Sequence, residues 1–160
     1  MTKLPKELNP KTRALDLLTR RNYTSAELQD KLLIEGYDEK EVVAVIAWLQ
    51  QIGYIDDFRT AELWVDSRNR YRPTGVLGLK HELLQKGIPE EIIDKVINTP
   101  EQDYKLALKL AQARLTKLSE LPKYKQYQRI GSLLQRRGFS ADVIYRVLET
   151  VFASSLDTDH

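Results

Sequence analysis

Two basic stretches hold the side chains in this sequence best suited to chemistry. Ser67-Arg68-Asn69-Arg70-Tyr71-Arg72 sets three guanidinium groups around a tyrosine just before Pro73. A guanidinium is a planar fork of N–H donors that matches phosphate or carboxylate oxygens and can stack on a base. An exposed stretch of this kind suits DNA or an acidic protein surface, and the same residues also suit the negative C-terminal end of a helix. Lys80 and Lys86 extend the basic character of this region. Lys123, Tyr124, Lys125, Tyr127 and Arg129, with Arg136 and Arg137 beyond, repeat the combination of cations and tyrosines. They have the composition of a solvated helix face as well.

Residues for catalysis are harder to assemble. There are two histidines and no cysteine, which removes disulfides, thiolate metal sites and a cysteine nucleophile. His81 is adjacent in sequence to Glu82, and neighbours in sequence do not share a helix face, so the two are not spaced as metal ligands. His160 is terminal. Asp56 and Asp57 could form a carboxylate pair, but acid–base work needs surroundings that split the two pKa values, and helix capping is the expected use. Gly75 and Gly78 are isolated, and no Gly-Lys-Ser/Thr follows to make a phosphate loop. No enzyme, cofactor or metal is expected.

The net charge of +2 over 160 residues hides a segregation along the chain. Glu27 to Asp57 holds eight carboxylates against two lysines, whereas Lys105 to Arg137 holds nine basic residues against one glutamate. Between them, Arg68 to Lys86 has five basic residues against Glu82. Such blocks point to a protein or nucleoprotein partner whose own charge varies along its length. The N-terminus, Met1 to Pro10, has no apolar core of signal-peptide length, and no apolar run approaches the roughly 20 residues of a membrane span. A cytoplasmic protein is expected.

The elements that must position these side chains read as helices. Asn9-Pro10 starts the first, Thr24 with Glu27 forms a capping box, and Asp38 with Glu41 opens the third. Val42, Val45, Ile46 and Leu49 follow with the spacing of a buried stripe. A fourth helix begins at Asp56-Asp57 and carries Ala61, Trp64, Val65 and Arg68. Pro73 is expected to begin a fifth, ended by Gly87, and Ile92, Ile93, Val96 and Ile97 mark a sixth. Thr99-Pro100 with Gln102 opens the seventh, which carries Leu106, Ala107, Leu110, Ala111 and Leu118 until Pro122 breaks it. Ile130, Leu133 and Leu134 mark the eighth, and Ser140 caps a ninth with Val143, Ile144, Val147 and Leu148.

The plan is periodic. Leu32-Leu33 precede Gly36, Leu83-Leu84 precede Gly87 and Leu133-Leu134 precede Gly138, and the glycines are 51 residues apart. Each takes the left-handed position that closes a helix. The fold class is therefore all-α, an elongated array of three tandem three-helix repeats, because units of this size bury too little surface to stand alone. The expected organisation is an N-terminal extension 1–10, repeats 11–54, 55–98 and 99–152, and a flexible tail 153–160.

Ser25-Ala26-Glu27-Leu28-Gln29-Asp30-Lys31-Leu32 resembles the Ser-x-Glu-Leu-x-x-Lys-Leu opening of the RecX regulatory proteins. Gly53-Tyr54-Ile55-Asp56-Asp57 resembles that family's Gly-Tyr-(Ile/Leu)-Asp-Asp, and Glu82 to Ile88 its Glu-Leu-x-x-Lys-Gly-Ile. The likeness runs from about Lys11 to Phe152. The chain departs from the family pattern at Thr60, where an aromatic is common, and at Gly75-Val76-Leu77-Gly78-Leu79, where the family is more basic and Gly78 costs helix propensity. The resemblance implies a non-enzymatic modulator that lodges in the groove of the RecA–DNA filament and inhibits its ATPase, strand-exchange and co-protease activities. It would act as a monomer, meeting DNA weakly or through the filament, with no membrane partner. Arg68, Arg70, Arg72, Lys80, Lys86, Lys123, Lys125, Arg129, Arg136 and Arg137 are the expected contacts. A helical-repeat protein that binds DNA directly is the alternative.

Overall fold

The computed structural model describes residues 8–156, the side chains of 154–156 excepted. Most of the expected extension 1–10, the end of the tail 153–160 and His160 lie outside the described residues. Among the described residues there are nine helices and no strand. They are α1 (Pro10–Arg20), α2 (Ser25–Ile34), α3 (Glu39–Gln51), α4 (Asp57–Tyr71), α5 (Val76–Gln85), α6 (Glu90–Val96), α7 (Pro100–Lys117), α8 (Lys123–Arg136) and α9 (Ala141–Leu156).

Local signals account for most of these starts. Asn9 Oδ1 accepts from the Thr12 amide at 2.8 Å, with Pro10 at the first helical position. Full capping boxes open α2 at Thr24/Glu27 and α7 at Thr99/Gln102. Asp56 Oδ1 accepts from the Arg59 amide at 3.1 Å and so caps α4. The periodic glycines close α2, α5 and α8 with one bond pattern. The Gly36, Gly87 and Gly138 amides donate to Leu33, Leu84 and Gln135, and the following Tyr37, Ile88 and Phe139 amides donate to Leu32, Leu83 and Leu134. The three glycines have φ of 93°, 77° and 78°, a region that a Cβ disfavours.

The chain divides into two units. The first holds residues up to Glu62 with Leu83–Ile93, and the second holds Leu63–Glu82 with the chain from Asp94 onward. The first core packs Ala14 and Leu17 of α1, Leu28 and Leu32 of α2, and Val42, Ile46 and Leu49 of α3, with Ile55 beyond them. Arg13 fastens α1 to the end of α2, with Nη2 2.7 Å and Nε 3.2 Å from Glu35 Oε1. The second core packs Ala107 and Ala111 of α7, Ile130 and Leu134 of α8, and Val143, Val147, Leu148 and Phe152 of α9 around Phe139. Each Leu, Ile, Val or Phe so buried contributes about 1.5–3 kcal/mol over leaving it in water. The buried residues of the middle triplet are shared out: Ala61, Leu83, Ile88 and Ile93 belong to the first unit, Val65 and Leu79 to the second.

Each unit contains a joint where the start of one helix meets a glycine turn. In the first unit the Thr24 hydroxyl donates to the Lys86 carbonyl at 2.6 Å, and the Ser25 amide donates to Asp57 Oδ1 at 2.8 Å. Ala26 lies against Gly87 so closely that a Cβ on the glycine would fall on the alanine's own. In the second unit the Gly75 amide donates to the Arg137 carbonyl at 2.7 Å, and the Leu77 and Gly78 amides donate to the Gly138 carbonyl at 3.1 and 3.2 Å. The Val76 amide donates to Asp103 Oδ2 at 3.1 Å. The free donors at the start of α5 are thereby satisfied by residues far along the chain, and the carbonyl end of α8 meets the amide end of α5.

That second joint corrects the expectation that Pro73 begins a helix. Pro73, Thr74 and Gly75 precede α5, because the Gly75 amide is bound to Arg137 and Thr74 is buried with its hydroxyl on the Arg72 carbonyl. Leu106, Leu110 and Leu118 are only half-buried against the second core. α9 continues through Leu156, past the expected start of the tail at residue 153.

Candidate functional site

The ten basic residues singled out by sequence fall into different situations. Arg68 is engaged within α4 and α5. Its Nε lies 2.9 Å from Glu82 Oε2, which also accepts from Trp64 Nε1 at 2.6 Å, and its guanidinium stands 4.5 Å from the Trp64 ring centroid. This half-buried cluster joins two helices and leaves Arg68 little freedom to meet a partner. Lys86, in the first unit, lies 3.6 Å from Glu27 Oε2, which also accepts from Arg21 at 3.0 Å. Burial pushes the Glu27 carboxyl up, but the Thr24 amide, Lys86 and Arg21 outweigh it and hold the group below its ordinary value. Lys80 is half-buried on α5.

The remaining seven belong to the second unit. Arg70 and Arg72 are exposed at the end of α4, Arg70 with its guanidinium 5.9 Å from the centroid of the exposed Tyr71 ring. Lys123 and Lys125 are exposed in the first turn of α8. Cations are unfavourable there, and Pro122 before them supplies no capping hydrogen bond. Arg129 and Arg136 are exposed further along the helix, while Arg137 is half-buried and donates from Nη1 to the Pro73 carbonyl at 3.3 Å. Burial pulls the Arg137 guanidinium below its ordinary value, and the charges of Arg72, Arg114 and Arg136 push it the same way. Arg114 and Arg136 line one cavity together with Arg129.

Arg114 is the member that sequence reasoning missed. It stands alone on α7, with no basic neighbour in sequence closer than Lys117. Only the α7–α8 turn brings it to α8, a turn fixed by Gln126 Nε2 donating to the Leu118 and Leu121 carbonyls at 2.9 and 3.0 Å. The one available signal is that Arg129, Ser132 and Arg136 share a helix face, which leaves their common neighbour to be found.

Other candidates resolve into structure. Asp56 and Asp57 cap different amides, those of Arg59 and Ser25. His81 is exposed on α5. Among the described residues no three His, Cys, Asp or Glu side chains are grouped to hold a metal ion, and no helix is long and apolar enough to cross a membrane.

Three tandem helical triplets, joined through helix starts and glycine turns, define an all-α helical-repeat protein, with Arg114, Arg129 and Arg136 lining one cavity of its second unit. Models of the first, second and third three-helix domains of RecX match residues 11–49, 56–97 and 101–148 respectively. The chain belongs to the RecX family. It is 32% identical to the regulatory protein RecX of Thermobifida fusca, a match covering 97% of this chain and 86% of the relative. It is 34% identical to that of Chlorobium phaeobacteroides over 88% of this chain and 92% of the relative. The crystal structure of RecX from Lactobacillus salivarius superimposes with a TM-score of 0.79, covering 88% of this chain and 93% of that one at 24% identity. A second crystal structure, of a regulatory protein RecX, gives 0.75 at 28% identity over 86% of this chain and 69% of that one. These matches make the chain a member of a family of regulatory proteins.

Proposed function

We propose that this protein binds the RecA–DNA filament and inhibits RecA's ATPase, strand-exchange and co-protease activities, acting as a monomer in the cytoplasm and without catalysis of its own. The observation that carries the reading is the coincidence of three RecX domains in tandem with exposed basic residues concentrated in the second unit. A filament is a periodic, charged target, and a repeat protein offers it successive contact surfaces. Within the predicted set, Arg70, Arg72, Lys123, Lys125, Arg129 and Arg136 are the exposed cations and so the contacts we assign, whereas Arg68 serves the Trp64–Glu82 cluster.

The experiment is RecA ATPase activity on single-stranded DNA with increasing amounts of this protein. Inhibition is expected for the wild type, weakened at low salt when Lys123, Lys125 and Arg129 are changed together to glutamate. Arg68→Gln should lower stability more than inhibition. A wild-type protein with no effect on RecA sinks the proposal, and full inhibition by the triple glutamate variant removes the assigned contacts.

A further inference from the structure

The convergence of Arg114, Arg129 and Arg136 is more specific than a basic face. Arg114 from α7 and Leu118 just past its end, with Arg129, Ser132, Leu133 and Arg136 from α8, line an open cavity of about 460 Å³. Two of its lining residues, Leu118 and Leu133, are apolar, and the others are Arg114, Arg129, Arg136, Ser132 and Gln128. No carboxylate lines it, and none of the three arginines pairs with a described carboxylate. Elsewhere the protein pairs its arginines readily: Arg13 with Glu35, Arg21 with Glu27, Arg68 with Glu82.

Two ordinary explanations fall short. Arg114 and Arg136 occupy the last turns of α7 and α8, where a cation meets the negative end of the helix. That does not account for Arg129 in the middle of α8, nor for all three opening on one cavity. Simple solvation of separate side chains does not explain why they converge, since like charges repel and each added guanidinium costs the others. The charges of Arg114 and Arg136 also act on half-buried Arg137, so the repulsion reaches a fourth group. A cluster held together against repulsion is balanced when an anion sits among its members.

We infer that the α7–α8 cavity is a phosphodiester site, which takes a backbone phosphate of DNA between Arg114, Arg129 and Arg136. A tetrahedral phosphate offers several oxygens at once to three forks, and Ser132 and Gln128 add neutral donors, whereas a single carboxylate fills two of those positions. The inference rests on the filament reading for the source of that phosphate, and the site itself is testable without RecA.

The test is binding of a short fluorescent single-stranded oligonucleotide, followed by anisotropy across about 50–200 mM salt. Arg114, Arg129 and Arg136 changed together to glutamine should weaken binding roughly tenfold at the low-salt end. The slope of log affinity against log salt should flatten by about 0.7 for each phosphate no longer neutralised. Lys105→Gln, on the exposed part of α7 and outside the cavity, should change both much less. Arg114→Lys keeps the charge but not the fork, and should retain the slope while weakening affinity. If the triple variant binds as Lys105→Gln does, the site is wrong. It is also wrong if the triple variant keeps its oligonucleotide affinity but no longer binds DNA-free RecA, because the cavity then takes protein carboxylates. A wild type that leaves RecA active but whose oligonucleotide binding needs these arginines supports the site and sinks the filament reading.

Discussion

The two joints perform one task by different means. In the first unit, side chains do most of the fastening: a threonine hydroxyl, an aspartate from α4, the Glu27–Lys86 pair, and the methyl of Ala26 against Gly87. In the second unit, backbone meets backbone. Three amides of residues 75–78 donate to Arg137 and Gly138, and Asp103 alone contributes a side chain to the remaining one. Side-chain contacts can be trimmed or reshaped, whereas a backbone crossing depends on glycine and tolerates no Cβ. The first joint is thus adjustable by mutation and the second is not.

Gly138→Ala should produce the largest effect. It forces a Cβ into φ of 78° and sets it on the Gly78 backbone, which has no rotamer by which to move aside. Left-handed strain and overpacking together come to roughly 4 kcal/mol. Urea unfolding followed by Trp64 emission in a Trp48→Phe background checks this in the second unit. No truncation of a neighbouring side chain should rescue it.

Gly87→Ala comes next, at roughly 3 kcal/mol, because its new Cβ meets the Ala26 methyl in addition to a φ of 77°. Here the obstacle can be removed. Ala26→Gly combined with Gly87→Ala should recover part of the loss, with a coupling energy of roughly 1 to 2 kcal/mol in a double-mutant cycle read through Trp48. Strict additivity would mean that the first joint is no more adjustable than the second.

Gly53→Ala separates the two contributions. Gly53 has φ of 79° but nothing within 4 Å of an added Cβ, so its cost is left-handed strain alone, about 1 kcal/mol. What Gly87 and Gly138 cost beyond that measures close approach. Equal losses at all three positions would remove the distinction between open and crossed glycine turns.

Much of this is legible in the sequence because it is local. Helix starts at Asn9, Thr24, Asp38 and Thr99 depend on residues three apart, and the Leu-x-x-x-Gly turns depend on six. What escapes is non-local. Pro73 carries the sequence signal for the start of α5, but Gly75 is held by a carbonyl 62 residues away. Gly78 has the look of a weak helix former, whereas its missing Cβ admits the Gly138 turn. Arg68 has the look of an exposed cation, but Glu82 and Trp64 engage it. The candidate site is half legible for the same reason: the α8 arginines share a face in sequence, while Arg114 joins them only through the fold.

The smallest expected difference between the units is one of sign. Arg13 holds Glu35 below its ordinary 4.5 against the opposing effect of burial, and at Glu27 burial is outweighed by the Thr24 amide, Lys86 and Arg21. Both contribute stability to the first unit that is fully present above 4.5 and is lost as the pH falls through the folded values. Asp103 works the other way. Asp103 is 2% exposed and its Oδ1 has no partner, so burial raises it above 3.8 although the Val76 amide and Asn98 oppose the shift. The second unit is therefore relieved as acid protonates Asp103, and that relief is lost as the pH rises through the folded value. Acidification should weaken the unit reported by Trp48 before the unit reported by Trp64, and Asp103→Asn should abolish the acid relief in the second. Parallel pH profiles for both tryptophans would show that the buried aspartate does not distinguish the joints.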